Sequence, residues 1–141
     1  MTTRTQLSRR TTLALAMVLA LGACSKEPSV ERCPHCGMRV DRASPFRAEL
    51  DGRGFDSPRC ALATRAGSQK PLRVQEFYSR AYVDAETVTF VGGSDVEGPM
   101  GPELVPVADD KVAKFKSDHH GARTYRLVDV TADVLKKEGT P

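Results

Sequence analysis

The sequence predicts a single small α+β domain built from two similar strand–strand–helix–strand units, with mostly antiparallel sheet and helices on one face. Short stretches that alternate apolar and polar residues recur along the chain. They are rich in β-branched and aromatic side chains, a pattern typical of half-buried strands. One short helical segment interrupts the strands in each half of the chain, and strand hairpins that alternate with single helices are typical of this fold class.

The first predicted unit begins with a β-hairpin. Residues 46–50 alternate apolar and polar side chains, which predicts a strand. The Asp-Gly pair that opens residues 51–54 is a strong hairpin signal. The return strand is expected to begin at residues 55–56, directly before the first helix.

The first predicted helix carries Cys60 on its apolar side. Ser57 has the side chain of a helix N-cap, and Pro58 suits the first helical position because that residue needs no N–H group. Gly67 suits the left-handed residue that ends the helix. A strand at residues 74–78 is expected to complete the unit.

The second predicted unit repeats this order with a longer connection. Residues 81–85 and 87–91 are predicted strands. Residues 92–101, which hold four glycines and one proline, are predicted to form a loop. A short strand follows at residues 104–107, and Pro106 within it predicts an edge position because proline donates no N–H to a neighbouring strand.

The last part of the chain is predicted to hold a second helix, a strand and a frayed end. Asp109 is the expected N-cap of a helix that includes residues 111–116 and ends near Gly121. Residues 124–130 alternate apolar and polar side chains and predict the closing strand. The charged residues 132–141 are expected to form a frayed turn of helix.

Residues 1–23 predict a lipoprotein signal peptide. Three arginines and no acidic residue precede an apolar run that is too short to span a membrane as a helix. The run ends in Leu21-Gly22-Ala23-Cys24, which resembles a bacterial lipobox, so Cys24 is expected to be lipidated and to become the mature N-terminus. An ordinary signal peptide cleaved after Ala23 would instead leave Cys24 as a free thiol.

The lipobox resemblance also implies a location, because Ser25 stands where an aspartate would suggest retention in the inner membrane, and the periplasmic face of the outer membrane is therefore expected. Residues 24–32 are polar and are predicted to tether the lipid to a domain at residues 33–141. Removing the signal peptide leaves 18 basic and 18 acidic residues, so the mature chain carries no formal net charge. This composition gives no basis for a nucleic-acid partner, which would bind a basic patch of the folded domain.

The metal-binding potential of the chain is concentrated in the segment Cys33–Met38, Cys-Pro-His-Cys-Gly-Met. Two thiols, one imidazole and one thioether lie within these six residues. Such soft donors favour a soft metal ion, with Cu(I) as the first choice. Cys60 is the third thiol of the predicted domain, and an odd number of thiols in an exported protein argues against a purely structural disulfide framework.

Other chemistries are alternatives for this segment. Haem attachment is excluded because Cys36 is followed by glycine and not by histidine. A four-ligand zinc site lacks a second pair of cysteines, and Cys60 with His119 or His120 is the best substitute. The Cys33–Cys36 tetrapeptide also matches the active site of DsbA-like thiol oxidoreductases, although no buried strand precedes it.

The remaining donors each have two interpretations. Met38 is either a ligand or a core residue, and Met100 either points a thioether from its Gly-Pro-Met-Gly loop at a metal or has no such role. Cys60 is expected to be a buried, inert thiol. His119 and His120 are expected to be solvated at the end of the second helix, where the helix dipole favours their charge.

Several motifs in the same order resemble the NosL family, the copper-binding lipoproteins of nitrous-oxide reductase maturation. The first is Cys33–Val40, with its Cys-x-x-Cys-Gly-Met pattern. The others, in chain order, are Phe55-Asp56, Tyr82-Val83-Asp84-Ala85, residues 91–96 and residues 98–104. The resemblance covers the lipobox and most of the mature chain. Pro102 departs from it, because many relatives have histidine there.

This resemblance implies a periplasmic, lipid-anchored protein with the α+β fold of that family. Its domain at residues 33–141 would bind Cu(I) and supply it to nitrous-oxide reductase or its maturation machinery. Cys36 and Met38 are the expected Cu(I) ligands, with Cys33 and Met100 completing the set. Ligand exchange would move the ion, so a carrier is expected and not an enzyme. A thiol-disulfide oxidoreductase that uses the Cys33–Cys36 pair is the alternative.

Overall fold

The computed structural model describes residues 30–139 and confirms the predicted α+β class. All strand pairs within these residues are antiparallel. The strands are β1 (Ala48–Leu50), β2 (Arg53–Phe55), β3 (Leu72–Gln75), β4 (Tyr82–Asp84), β5 (Val88–Gly92), β6 (Glu97–Gly98), β7 (Gly101–Pro102), β8 (Val105–Ala108) and β9 (Arg123–Tyr125). The α-helices are α1 (Pro58–Arg65), α2 (Val112–His119) and α3 (Ala132–Glu138).

Two larger sheets and one small hairpin organise the described residues. The first sheet has the strand order β2-β1-β3-β4, the second has the order β8-β5-β9, and β6 and β7 form the hairpin. In the first sheet β1 lies between β2 and β3, and in the second sheet β5 lies in the same way between β8 and β9. The predicted repeat is therefore confirmed, with units β1-β2-α1-β3 and β5-β8-α2-β9. Pro106 lies in β8, an edge strand as predicted.

The strand predicted at residues 81–85 belongs to the first sheet. It forms β4, which pairs with β3 and so extends the first unit. A 3₁₀ turn at Ala85–Thr87 then leads into β5, which is buried along its whole length. Residues 92–101 are not wholly a loop, because they contain most of the β6–β7 hairpin, with Pro99 and Met100 at its tip.

The predicted turns and caps of the first unit are confirmed. Asp51 and Gly52 form the two-residue loop between β1 and β2, with φ angles of 53° and 76°. Such turns match the right-handed twist of the strands they join. The Ser57 hydroxyl accepts the N–H of Cys60, and proline occupies the first helical position. Gly67 has a φ of 77° after the end of the helix.

Two strands, β3 and β9, end several residues before their predicted ends, because acidic side chains turn the chain there. β3 ends before Glu76, whose buried carboxylate accepts the N–H of Ser79. β9 ends before Arg126, whose N–H donates to the carboxylate of Asp129. A 3₁₀ turn at Leu127–Asp129 follows. Such local bonds from side chain to backbone compete with strand pairing.

Asp109 does not cap the second helix, and this prediction was wrong. It begins a 3₁₀ turn, Asp109–Lys111, and its carboxylate accepts hydrogen bonds from the Thr89 hydroxyl (2.8 Å) and the Arg126 guanidinium (2.7 Å). α2 begins after this turn and ends at His119, where the next residue is left-handed. The side chain is therefore used in a contact between elements and not in a local cap.

The C-terminal segment is an ordered helix and not a frayed turn. The Thr131 hydroxyl caps α3 by accepting the N–H of Val134. Glu138 at the other end is buried and accepts hydrogen bonds from the Arg123 guanidinium and the Tyr125 hydroxyl of β9. These contacts fasten α3 to the second sheet.

Some predicted features lie outside the described residues. They are the signal peptide at residues 1–23, the lipidation site Cys24, most of the tether at residues 24–32, and the last residues, 140–141. No helix within residues 30–139 is long and apolar enough to cross a membrane.

The hydrophobic core encloses two of the cysteines. The larger group of buried side chains includes Cys33 and Cys60 together with Phe55, Val74 and Phe90. A smaller group packs α2 against β5 and β8. The candidate metal-binding thiols are therefore built into the packing of the domain.

We expect Glu138→Ala to lower the free energy of unfolding by about 1–3 kcal/mol, because Tyr125 and Arg123 lose their acceptor. The hydrogen bond from Arg123 holds the pKa of Glu138 below its usual range. This contribution is full above the unfolded-state pKa and is lost as the pH falls through the lower folded-state pKa. Urea unfolding at neutral and acidic pH measures both effects. Glu86→Ala, at an exposed glutamate, is the control, and an unchanged transition for Glu138→Ala would contradict the assignment.

Candidate metal centre

The segment Cys33–Met38 folds into a tight loop. The N–H of Cys33 donates to the carbonyl of Met38 (2.8 Å), and the N–H of Gly37 donates to the carbonyl of Cys33 (2.9 Å). Gly37 has a φ of 77°, a left-handed conformation that glycine adopts without strain. The loop thereby brings the Cys33 and Cys36 sulfurs close together.

Glu31 holds this loop on the first sheet. Its carbonyl accepts the N–H of Val40 (2.9 Å), which closes the base of the loop. Its carboxylate lies so close over Gly54 of β2 that a Cβ at that position would come within 2.1 Å of a carboxylate oxygen. The same carboxylate lies 3.6 Å from the Arg47 guanidinium. Because β2 runs directly into Asp56, these contacts place the loop beside the end of that strand.

The start of α1 supplies the other half of the site. Asp56 follows β2, and the hydroxyl of the N-cap Ser57 accepts the N–H of Cys60 (3.2 Å). This bond satisfies one of the N–H groups that a helix start leaves without a partner in the helix. It also fixes the position of Cys60 relative to Asp56, so that both side chains meet the loop.

Four side chains, Cys33, Cys36, Asp56 and Cys60, converge at this point. Their sulfur atoms and a carboxylate oxygen all lie within 4.8 Å of one another. The Cys36 thiol donates to Asp56 Oδ2 (3.3 Å). Cys33, Asp56 and Cys60 are each at most 3% exposed, whereas Cys36 is half-buried. An ion held here would be enclosed on one side and open to solvent beside Cys36.

Burial controls the protonation of these thiols. It raises the pKa of Cys60 far above its usual range. It also raises the pKa of Cys36, and the hydrogen bond to Asp56 adds to this shift. Both thiols are therefore expected to be protonated at neutral pH when no ion is bound. A metal ion replaces these protons, since the thiolate is the form that coordinates metals.

One oxygen of Asp56 lacks a partner. Its Oδ1 is buried and accepts no hydrogen bond within the described residues. A buried polar atom without a partner is costly, and a nearby cation would remove that cost. The side chains present therefore fit a metal ion. Three thiols favour a soft ion such as Cu(I), and three thiolates with one carboxylate also fit Zn(II).

The two predicted thioether ligands lie at the surface. Met38 ends the loop and is 40% exposed, and Met100 lies at the tip of the β6–β7 hairpin and is 48% exposed. Of the four predicted ligands, the structure places Cys33 and Cys36 in the cluster and leaves both methionines open to solvent. Coordination of a metal by any of the four stays a prediction.

Neither C-terminal histidine joins the four-residue cluster. His119 was expected to be solvated, but its ring packs on Phe115, with 4.8 Å between ring centroids, and its Nδ1 lies 3.0 Å from Asp95. His120, which is exposed, lies near the same carboxylate. The zinc site suggested for Cys60 with either histidine is therefore absent from the described residues.

Asp56 and Cys60 are the cluster members that the sequence interpretation missed. Cys60 is buried as expected, but its sulfur belongs to the cluster. Asp56 stood out only as part of a family motif. The sequence did indicate that these two residues are neighbours. Asp56 directly precedes the predicted N-cap Ser57, and Cys60 is the third helical residue, so both lie at the start of the helix.

Comparison with known families identifies the fold that carries this site. The sequence model of the NosL family matches residues 27–135, which include all four members of the cluster. The chain belongs to the NosL family. The resemblance of its motifs to that family is thereby confirmed.

The fold is also similar to a solved structure. It matches the crystal structure of the copper chaperone NosL from Shewanella denitrificans with a TM-score of 0.63 and 20% sequence identity. The match covers 75% of this chain and 93% of that chain. At this identity the similarity shows a shared fold. No curated protein sequence matches the chain.

We expect Cys60→Ser to lower the affinity for Cu(I) by at least about 10–100-fold, the loss that even changes outside the ligand set produce at metal sites. Competition with a chromophoric chelator in reducing buffer measures this. Ala61→Ser, which places a hydroxyl in the same buried turn, is the matched control and should bind as the unmodified protein does. Equal affinities for Cys60→Ser and the unmodified protein would show that Cys60 is an inert core thiol.

Proposed function

We propose that this member of the NosL family carries Cu(I) in the periplasm and delivers it for assembly of the copper centres of nitrous-oxide reductase. The main support is the convergence of the Cys33, Cys36 and Cys60 sulfurs with the carboxylate of Asp56, which has one buried oxygen without a partner. Soft sulfur ligands select Cu(I). The solved protein with the same fold is a copper chaperone.

Binding uses the buried side of the centre. Cys33 and Cys60 hold the ion from within the core, where packing keeps their sulfurs in place. Asp56 already accepts the hydrogen bond of the Cys36 thiol (3.3 Å). When the ion binds, it replaces this thiol proton, which is released to solvent. The single positive charge of Cu(I) offsets the charge of one thiolate.

Release uses the open side. Cys36 is half-buried and Met38 is exposed, so the ligands of a recipient protein can approach the ion there. Met38 and Met100 serve as neutral, soft donors that hold Cu(I) while thiolates are exchanged. Exchange of one ligand at a time leaves the oxidation state of the ion unchanged. The protein acts as a carrier and catalyses no reaction.

A thiol-disulfide oxidoreductase that acts through Cys33 and Cys36 is the competing function. An attacking thiol needs exposure and a depressed pKa. Cys33 is 2% exposed, and burial raises the pKa of Cys36. Both features favour a ligand role over a redox role.

The proposed carrier is anchored by lipid at Cys24 on the periplasmic face of the outer membrane. The lipobox-like sequence supports this placement. The anchor would confine the search for a client, nitrous-oxide reductase or its maturation machinery, to the membrane surface. Residues 24–32 would give the domain its reach.

We expect the mature protein from membranes to begin at Cys24 and to carry acyl chains. Intact-mass measurement tests this, and Cys24→Ala should move the protein to the soluble periplasmic fraction. Copper binding by the soluble variant should be unchanged, because the centre lies elsewhere. An N-terminus without acyl mass on Cys24 would contradict the anchor and leave the carrier function standing.

We expect titration of the reduced protein to show one Cu(I) per chain. Cys36→Ser should weaken binding by at least about tenfold, because it removes a donor. In cells that carry Cys36→Ser, nitrous-oxide reductase should accumulate without its copper. Purified Cys24→Ala protein, by contrast with purified Cys36→Ser, should bind Cu(I) normally.

Three results would refute the carrier. They are failure to retain Cu(I), retention of Zn(II) in preference to Cu(I) under the same chelator, and strong disulfide exchange with unfolded thiols without copper binding. Normal copper loading of the reductase in cells that lack the protein would refute delivery while leaving copper binding intact.

A further inference from the structure

A buried carboxylate outside the cluster joins the Met100 hairpin to the turn that carries Cys60. Glu103 follows β7 directly and is 2% exposed. Its Oε1 accepts the N–H groups of Arg59 (3.0 Å) and Leu104 (3.0 Å). Because Arg59 immediately precedes Cys60, this contact reaches the start of the metal-binding turn.

The N–H of Arg59 depends on this acceptor. It lies in the first turn of α1, where N–H groups have no partner within the helix. The Ser57 hydroxyl is used by the N–H of Cys60. Glu103 therefore completes the cap of α1 from 44 residues away.

Arg59 holds the hairpin in return. Its guanidinium donates to the carbonyl of Pro102 in β7 (2.9 Å) and to the carbonyl of Leu135 in α3 (3.5 Å). On the other strand, a Cβ built on Gly98 would lie 2.6 Å from Glu103 Oε2. Both strands of the hairpin are therefore held against the start of α1, with its tip free.

Burying the carboxyl group of Glu103 costs free energy of folding. Its Oε2 is buried and accepts no hydrogen bond within the described residues. Burial also raises its pKa to about 8, so it is mostly uncharged at neutral pH. A group kept at this cost points to a role beyond stability.

We propose that Arg59 and Glu103 position the hairpin so that the thioether of Met100 reaches an ion held beside Cys60. Glu103 is a positioning residue that acts through the hairpin and does not touch the metal. This inference rests on the proposed copper-binding function. It explains how a donor about forty residues from Cys60 in the chain is brought to the same centre.

A double-mutant cycle on the purified mature protein tests this. We expect Glu103→Ala and Met100→Leu each to weaken Cu(I) binding by roughly tenfold. The double variant should bind no more weakly than Glu103→Ala alone, since Glu103→Ala already removes the Met100 donor. Glu103→Gln keeps an acceptor oxygen for Arg59 and should restore binding. Glu97→Ala, at an exposed glutamate of the same hairpin, is the matched control and should bind normally.

Gly98→Ala provides a second route to the same answer if Glu103→Ala does not fold. The new Cβ would push the hairpin away from Glu103 Oε2 while leaving the cap of α1 intact. Gly98→Ala should therefore also weaken Cu(I) binding, and adding Met100→Leu to it should cause no further loss of affinity. Losses that multiply in the double variants, or single variants at the unmodified affinity, would overturn the inference. An unmodified protein that fails to bind Cu(I) would overturn the proposed function as well, which separates the two failures.

Discussion

The N–H groups at the start of helix α1 must find acceptors away from water, and those acceptors organise the molecule. The Ser57 hydroxyl provides one within the same turn, and Glu103 provides another from the second unit. Asp56 and Cys60 flank this turn, so the bonds that cap the helix also place two members of the cluster. The contact between the two units and the assembly of the site therefore depend on the same helix start.

The centre combines a rigid side with an open side. Cys33 and Cys60 are packed in the core, where close packing resists displacement of their sulfurs. Cys36 and Met38 lie on a loop closed by a few backbone hydrogen bonds and reach solvent. A carrier needs both properties, because a buried ligand retains the ion and an exposed ligand lets a recipient replace it. An active site for disulfide exchange would also need an attacking thiol with a depressed pKa, whereas burial raises the pKa of Cys36.

Features that depend on neighbours in the chain could be predicted from the sequence, and features that depend on distant side chains could not. The Ser57 cap is set by residues within one turn and is confirmed. Asp109 has the same chemistry as a cap, but Arg126 from another element takes its carboxylate. In the site, the loop cysteines were evident as a local cluster. Asp56 and Cys60 join them only through the fold, because a thiol on an apolar helix face fits core packing equally well until its neighbours are known.

The central claim is that the fold assembles one sulfur-rich centre from the Cys33–Met38 loop and the first turn of α1. X-ray absorption at the copper edge tests it most directly, with Cu(I)-loaded unmodified protein compared with Cys60→Ser. We expect a coordination shell made mainly of sulfur in the unmodified protein and a shell with less sulfur in the variant. Copper bound mainly by nitrogen or oxygen, or the same shell in both proteins, would contradict the claim.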